Sequence, residues 1–377
     1  MDAYLTDAAV FLPNAPVPNA GMEAILGRVN GLPSRTRELI LRSNRITTRY
    51  YAIDPTTGRQ THSNAQLTAG AVRALGLAPE DLTCLACGTS SPDQLMPGHA
   101  SMVHGELGGG PIEIASFSGI CAAGMGAFKH AAMNVALGFH EQAVATGSEL
   151  ASSFLRGEFC ATPEQAHAIE QDLSLQFDAD FLRWMLSDGA GAALIARRPA
   201  AERLSLKIEW IEAASFAHEL PPCMYAGATR DESGHLTGWR EMPPREAAEV
   251  GAMLIKQDVK LLNRQIPLIA IDRTLAPLAA RRNLRAEAVD WFLPHYSSGY
   301  FRPILLERLR AIGLPIPEER WYTNLDQVGN IGSAAIYAML AGLLADPRLR
   351  PGQQVLCFVP ESGRFLMYYT LLTVVEA

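Results

Sequence analysis

Three residues of this 377-residue chain pair a reactive side chain with a setting at the end of a predicted element. Cys121 ends the strand-like run Ile114-Ala-Ser-Phe-Ser-Gly-Ile-Cys121 and opens the stretch Ala122-Ala-Gly-Met-Gly126, which begins a helical pattern. A thiol at a helix N-terminus faces unpaired N–H groups and the positive end of the macrodipole, which favour the thiolate. The small residues that follow leave room for a substrate to approach the sulfur. A buried structural cysteine is the competing reading of this motif by itself. His295 comes directly after the apolar run Trp291-Phe-Leu-Pro294, and Asn330 sits in the glycine turn Gly329-Asn-Ile-Gly-Ser333. A lone histidine is more often a satisfied core or surface residue, and a lone Gly-Asn a helix cap. All three at element ends fit the place where open α/β sheets carry their chemistry.

The elements that must position these residues alternate between strand and helix, which predicts an α/β fold. Ala65 to Leu75 reads as a helix, Leu82 to Gly88 as a strand and His99 to Leu107 as a helix. The Cys121 strand and helix run to about Phe139, a strand follows at Gln142 to Ser148, and Ser187 to Ala196 turns on glycines into another apolar strand. A more charged segment, about 154–183, reads as an insertion capping a site. The division is into a half of residues 1–203 with the cysteine and a half of residues 204–377 with the histidine and asparagine. The second half is expected to hold a long helix from Arg245 to Asn263, a strand at Val289 to Leu293 and a helix from Ser298. Strands at Val355 to Val359 and Phe365 to Val374 end it, and no close internal repeat is visible, though the two halves have similar element order.

Composition narrows the class. The chain is 48% apolar with 31 Gly and 24 Pro, which suits a packed α/β protein and not a disordered one. A net charge of −7 argues against general nucleic-acid binding. No apolar run approaches a membrane span, and Met1-Asp-Ala-Tyr-Leu5 is unlike a signal peptide, so a cytoplasmic protein is expected. The six cysteines do not form a disulfide framework. Cys84 and Cys87 have CxxC spacing, but on a strand they face opposite sides, so no metal site is expected. Cys160, Cys223 and Cys357 read as structural, and Asp93 and Asp188 as caps of turns.

The motifs resemble the thiolase superfamily, in its ketoacyl-carrier-protein synthase III branch, over essentially the whole chain. They are Ser43-Asn-Arg-Ile-Thr-Thr-Arg49, Thr89-Ser-Ser-Pro-Asp-Gln-Leu-Met-Pro97, the Cys121 strand and helix, Ser187-Asp-Gly-Ala-Gly191, Pro294-His295 and Gly329 to Ala335. The resemblance implies a five-layered αβαβα fold of two similar halves and a homodimer. It implies that Cys121 is acylated while His295 and Asn330 assist decarboxylation and condensation. CoA or phosphopantetheine thioesters would be substrates, with acyl-CoA or an acyl-carrier protein as partner and no permanently bound cofactor. Met96 matches the position that reaches into the partner's acyl pocket. The oxyanion hole would combine the Cys121 N–H with one from the Pro360 to Arg364 loop, at Ser362 or Gly363. Phe159, Ser298 and Glu361 are further candidates for contact with substrate.

Some positions depart from the branch. Its His-x-x-Asn reads His295-Tyr-Ser-Ser298 here, so a second amide near the histidine is missing. The usual basic docking position is Tyr300, with Arg302 the nearest base. The branch's glycine-rich loop reads Pro360-Glu-Ser-Gly-Arg-Phe365 here, with Glu361 and Arg364 as new charges, open to being a pair or to Glu361 serving as a base. Arg45 to Asp54, Thr61-His-Ser-Asn-Ala-Gln66 and Pro360-Glu-Ser-Gly-Arg-Phe365 look like the ketosynthases of dialkylresorcinol and stilbene biosynthesis. That likeness implies Claisen condensation of two acyl-derived units and closure to a cyclohexanedione. The alternative on the same fold is an acyltransferase that passes the Cys121 acyl group to a hydroxyl or amine.

Overall fold

Mostly apolar segments, fully buried in the strands Cys84–Thr89 and Trp291–Pro294, pair into one mixed sheet in the computed structural model, which describes residues 2–159, 180–231 and 233–377. Its strands are β1 (Tyr4–Phe11), β2 (Cys84–Thr89), β3 (Glu113–Ser118), β4 (Gln142–Glu149), β5 (Gly189–Ala196), β6 (Ser205–Ser215), β7 (Trp291–Pro294), β8 (Gln354–Pro360) and β9 (Leu366–Val375). Their order is β7-β8-β9-β6-β1-β5-β4-β2-β3.

This order contains a repeat. In the first five strands, β3 and β4 run parallel to β2, while β5 is antiparallel to both β4 and β1. In the last four, β7 runs parallel to β8, and β9 is antiparallel to β8 and β6. The counterpart of β3 has shrunk to one parallel bridge between Phe292 and Trp321. The two sets meet where β1 and β6 pair at Tyr4–Lys207 and Leu5–Leu206.

Side-chain alternation along the strands builds the layers. Helices α1 (Asn64–Arg73) and α2 (His99–Leu107) cover Leu85, Cys87, Val144 and Ala192. Helices α3 (Ala123–Leu137) and, later in the chain, Ala335–Leu344 lie in the middle, between Ala143 and Ala193 on one side and Leu293, Cys357 and Leu372 on the other. Helices α4 (Val259–Pro267) and α5 (Phe301–Ala311) cover Phe292, Phe358 and Tyr369 outside the second strand set. The result is helix, sheet, helix, sheet, helix, the five layers expected. With α5 placed, Ala335–Leu344 becomes α6.

The middle layer explains the small residues after Cys121. A Cβ on Gly124 would stand 2.4 Å from the Ser333 carbonyl oxygen, and one on Gly147 of β4 only 2.1 Å from it. Tyr337 of α6 donates its hydroxyl to the Gly124 carbonyl at 2.7 Å. Helix α3 is thus pressed against the start of α6, which holds the Cys121 and Asn330 turns close together.

Two expectations need revision or limit. Arg245 to Asn263 is not one helix: Pro244–Glu249 is helical, Gly251 turns the chain at φ +62°, and Lys256–Gln257 pairs with Met224–Tyr225. Helix α4 then restarts at Asp258, whose carboxylate accepts the Leu261 N–H at 2.9 Å. Of the charged segment 154–183, residues 160–179 lie outside the described residues, Cys160 among them. Cys84 and Cys87 face different layers as expected. Cys84 nonetheless lies with Glu113 and His140, their ligand-type atoms within 4.8 Å of one another, and His140 bonds Glu113 directly at 2.9 Å. Among the described residues no helix is long and apolar enough to cross a membrane.

Candidate active site

Cys121 occupies the turn between β3 and α3 and is buried at 7% exposure. Its thiol pKa is not lowered. Burial, then the charges of Glu149 and Glu361, push it well above the ordinary range. The helix macrodipole was expected to favour a thiolate, but Glu361 stands at that helix start and accepts the Ile120 N–H at 3.0 Å. Nor does a charged imidazole assist, because burial pushes the His295 pKa down to about 4. At neutral pH the resting pair is thiol and neutral imidazole.

His295 follows β7, and its N–H donates to the Phe358 carbonyl of β8 at 2.8 Å, which extends the parallel pairing past the last strand residue. Asn330 is fixed on both sides: its N–H donates to the Met185 carbonyl (3.2 Å) and its carbonyl accepts the Ser187 N–H (2.9 Å). The Asn330 side-chain oxygen accepts the Gly332 N–H at 3.0 Å. That bond assigns the amide, leaving its NH2 group as the donor directed elsewhere.

Two cavities meet at the sulfur. The first, about 610 Å3, is lined by Cys121 and Asn330, with Phe154, Leu182 and Met185 among its apolar walls. The second, about 440 Å3, is lined by Cys121 and His295 and by apolar residues such as Ile266, Phe301, Leu305 and Phe358. Both share Cys121, Leu262, Ser297 and Ser362. A third cavity, next to these, is lined by Leu39, Ser43, Met185, Ser298 and Tyr300 and shares Met185 with the first and Phe301 with the second.

The remaining sequence candidates are placed as follows. Ser362 lines both Cys121 cavities, whereas Gly363 turns its carbonyl to the Cys223 and Met224 N–H groups at 2.8 and 3.2 Å. Ser298 lines the third cavity, and it is Ser297 that faces the sulfur's two. Met96 is 77% exposed on the outside of the chain. Phe159 is 48% exposed, and Phe154 is the aromatic that lines the first cavity. Glu361 is not paired with Arg364, which donates to the Leu220 carbonyl instead. It lies buried beneath the Cys121 turn and is not among the residues that line these two cavities. Asp93 accepts the Asn64 and Ala65 N–H groups at the start of α1, and Asp188 those of Ala52 and Ser152, as expected of caps. Arg302 is engaged with Glu318 at 2.7 Å.

Sequence reading passed over Glu149. It ends β4, lines the first cavity and is buried. The Ser90, Ser91 and Ser333 hydroxyls and the Ser333 N–H all donate to its carboxylate. Burial pushes its pKa up, and these donors oppose the shift. The available signal was an acid directly after Gly147-Ser148 at a strand end, the same kind of position as His295.

Comparison with known proteins now bears on the site. Residues 279–363, which carry His295, Asn330 and Glu361, match the family described as 3-oxoacyl-[acyl-carrier-protein (ACP)] synthase III C terminal. A beta-ketoacyl-[acyl-carrier-protein] synthase III of Streptomyces coelicolor is 23% identical over 361 residues, which is 94% of this chain and 92% of that protein. The chain is thus similar to the synthase III branch of the thiolase superfamily along most of its length. A synthase III of Rhizorhabdus wittichii is 24% identical over 75% of the chain and 74% of its own length. Among solved structures, AbyA1, a tetronic acid condensing enzyme, superposes with a TM-score of 0.74 at 21% identity, covering 98% of this chain and 99% of its own. OleA of Xanthomonas campestris does so at 0.73 and 17%, covering 99% and 97%. Both share the fold of this chain.

Proposed function

We propose that the chain is a synthase III-like condensing enzyme that loads an acyl group on Cys121 and joins it to a second, β-ketoacyl or malonyl-type thioester. The observation that carries this reading is the junction of two cavities at one sulfur, with an imidazole in one and an amide donor in the other. One cavity would suffice for hydrolysis or simple transfer; two allow two acyl-derived units to meet.

In the first half-reaction the Cys121 sulfur attacks the thioester carbonyl as its proton passes to His295. The departing CoA or carrier thiol takes that proton back. The Cys121 N–H and a loop N–H at Ser362 hold the oxyanion; losing one such donor costs about 3–4 kcal/mol in other enzymes. In the second half-reaction the α-carbon of the incoming thioester loses CO2 or a proton. His295 and the Asn330 NH2 hold the resulting enolate oxygen. The carbanion attacks the acyl carbonyl, the C–S bond breaks, and the released Cys121 thiolate takes up the proton that His295 removed from the α-carbon, or one from water where CO2 was lost. An enolate-holding amide favours this course over transfer to a hydroxyl or amine. Closure to a cyclohexanedione, as in dialkylresorcinol formation, is the subgroup reading, and the Pro360 to Phe365 loop supports it.

The donors would arrive on CoA or a carrier protein. Exposed Arg42, Arg45, Lys260 and Arg264 each adjoin in sequence a residue lining the third cavity, giving a basic rim suited to a phosphate or an acidic carrier. A homodimer is the reading for the other face. Among the described residues the edge strand β3 has no partner on its outer side, and Met96, Ile114, Leu137 and Phe139 are exposed on the chain. The five described cysteines are free and buried, in keeping with a cytoplasmic setting.

The test is product mass spectrometry with an isotopically labelled acyl-CoA and an unlabelled β-ketoacyl thioester. A product carrying both units is expected. Labelled free acid, or labelled ester or amide with an added alcohol or amine, would replace condensation with hydrolysis or acyl transfer.

A further inference from the structure

Glu361 is a buried acid, and among the described residues neither a counter-ion nor a cavity explains it. Its backbone closes the loop after β8 by donating to the Leu366 carbonyl at 2.8 Å. Its side chain crosses to the other strand set, where the carboxylate accepts the Ile120 N–H at 3.0 Å and also bonds the Ala122 N–H. Glycines on both sides make this crossing possible: a Cβ on Gly119 or on Gly363 would come within 3.1 Å of a carboxylate oxygen. Between the two bound N–H groups lies that of Cys121, within reach of its own sulfur.

We propose that Glu361 is a positioning residue that clamps the Cys121 turn by its two flanking N–H groups, so that the Cys121 N–H is held out as the oxyanion donor. The proposal rests on Cys121 being the nucleophile. The clamp joins the loop after β8 to the turn after β3, so it fixes the relative placement of both oxyanion donors.

The same carboxylate has an electrostatic consequence. The titratable groups facing the sulfur are Glu149, Glu361 and His295, and Tyr368 faces Glu361 from β9. With two carboxylates beside it and a neutral imidazole, the sulfur rests as a thiol. It is thereby shielded from adventitious alkylation and oxidation, and becomes nucleophilic only as His295 takes its proton.

The test compares wild type, Glu361→Gln and Glu361→Ala in the full-length protein. The first readout is the pH dependence of Cys121 alkylation by iodoacetamide, followed by intact mass, with melting curves recorded in parallel. The second is single-turnover acylation by an acyl-CoA. Glu361→Gln keeps the shape and loses the charge: alkylation at pH 7.5 should rise at least tenfold, its profile shifted to lower pH, with the melting temperature held. Glu361→Ala also loses the clamp: acylation should slow about a hundredfold with the dependence on acyl-CoA concentration unchanged. Wild-type alkylation profiles in Glu361→Gln, or a wild-type acylation rate in Glu361→Ala, overturn the proposal. Should the alanine variant not fold, the alkylation profile of Glu361→Gln decides alone. Failure of the underlying reading is distinct, because the wild type itself would then form no adduct at Cys121.

Discussion

Burial of the His295 imidazole has a consequence that links folding to chemistry. Its pKa falls from 6.5 in the free side chain to about 4 in the fold. Between these values the unfolded chain binds a proton that the native state refuses. Stability contributed by this group is therefore complete above pH 6.5 and is lost as pH falls toward 4. At pH 4.5 the loss amounts to about 2.5 kcal/mol, from about 1.4 kcal/mol per unit over the part of the window crossed. His99, also pushed down to about 4 by burial, adds a similar slope, while Asp188, pushed up to about 6, opposes it. Wild type alone would show the sum. The difference between wild type and His295→Asn isolates one proton, since the other groups are common to both. Urea unfolding followed by tryptophan fluorescence at pH 7 and pH 4.5 measures it. The variant should lose about 2.5 kcal/mol less than wild type on acidification. An equal loss in both proteins would mean that the imidazole is solvated or charged in the fold, and the neutral-pair mechanism would fall with it. In the same range, acyl transfer by wild type should show no loss near pH 6.5, because the imidazole stays neutral.

Gly147→Ala drives a Cβ into the Ser333 backbone at 2.1 Å, so a loss of about 3 kcal/mol or more in stability is expected from thermal or urea unfolding. Glu149→Ala strands three serine hydroxyls and an N–H and should cost about 3 kcal/mol, whereas Glu149→Gln should cost less; the two are compared by unfolding at one pH. Arg42→Glu combined with Lys260→Glu should raise the apparent KM for CoA or carrier donors about tenfold and leave KM for a short thioester lacking the phosphates unchanged, as steady-state kinetics will report.

The three site candidates were legible because Cys121, His295 and Asn330 carry their own local signals: a strand run, a proline or a glycine turn, and a small-residue helix. Their meeting depends on contacts that have no sequence period. Gly124 and Gly147 matter because the Ser333 carbonyl sits against them, and that carbonyl is about 200 residues away in the chain. The strand repeat was legible only as a similar element order in the two halves, because the second β3 is only the Phe292–Trp321 bridge. The long helix read from Arg245 to Asn263 failed because Gly251 and Asp258 are ordinary helix-end signals inside a stretch of helix-forming composition. Thiol acidity was misjudged for a related reason. The macrodipole can be inferred from Cys121 alone, but Glu361, the acid that opposes it, arrives from a loop 240 residues later. Glu149 shows the same limit, since its three serine partners come from two distant turns.

The most direct measurement is a chase of the Cys121 adduct. Wild type and Cys121→Ala are loaded with acyl-CoA, freed of excess donor and followed by intact-protein mass spectrometry with and without a β-ketoacyl thioester. A condensing enzyme should show an adduct in wild type only, stable alone and discharged by the β-ketoacyl thioester with a product that contains both units. An adduct that survives in Cys121→Ala, or one that discharges at the same rate without the second thioester, would contradict carbon–carbon bond formation at this sulfur.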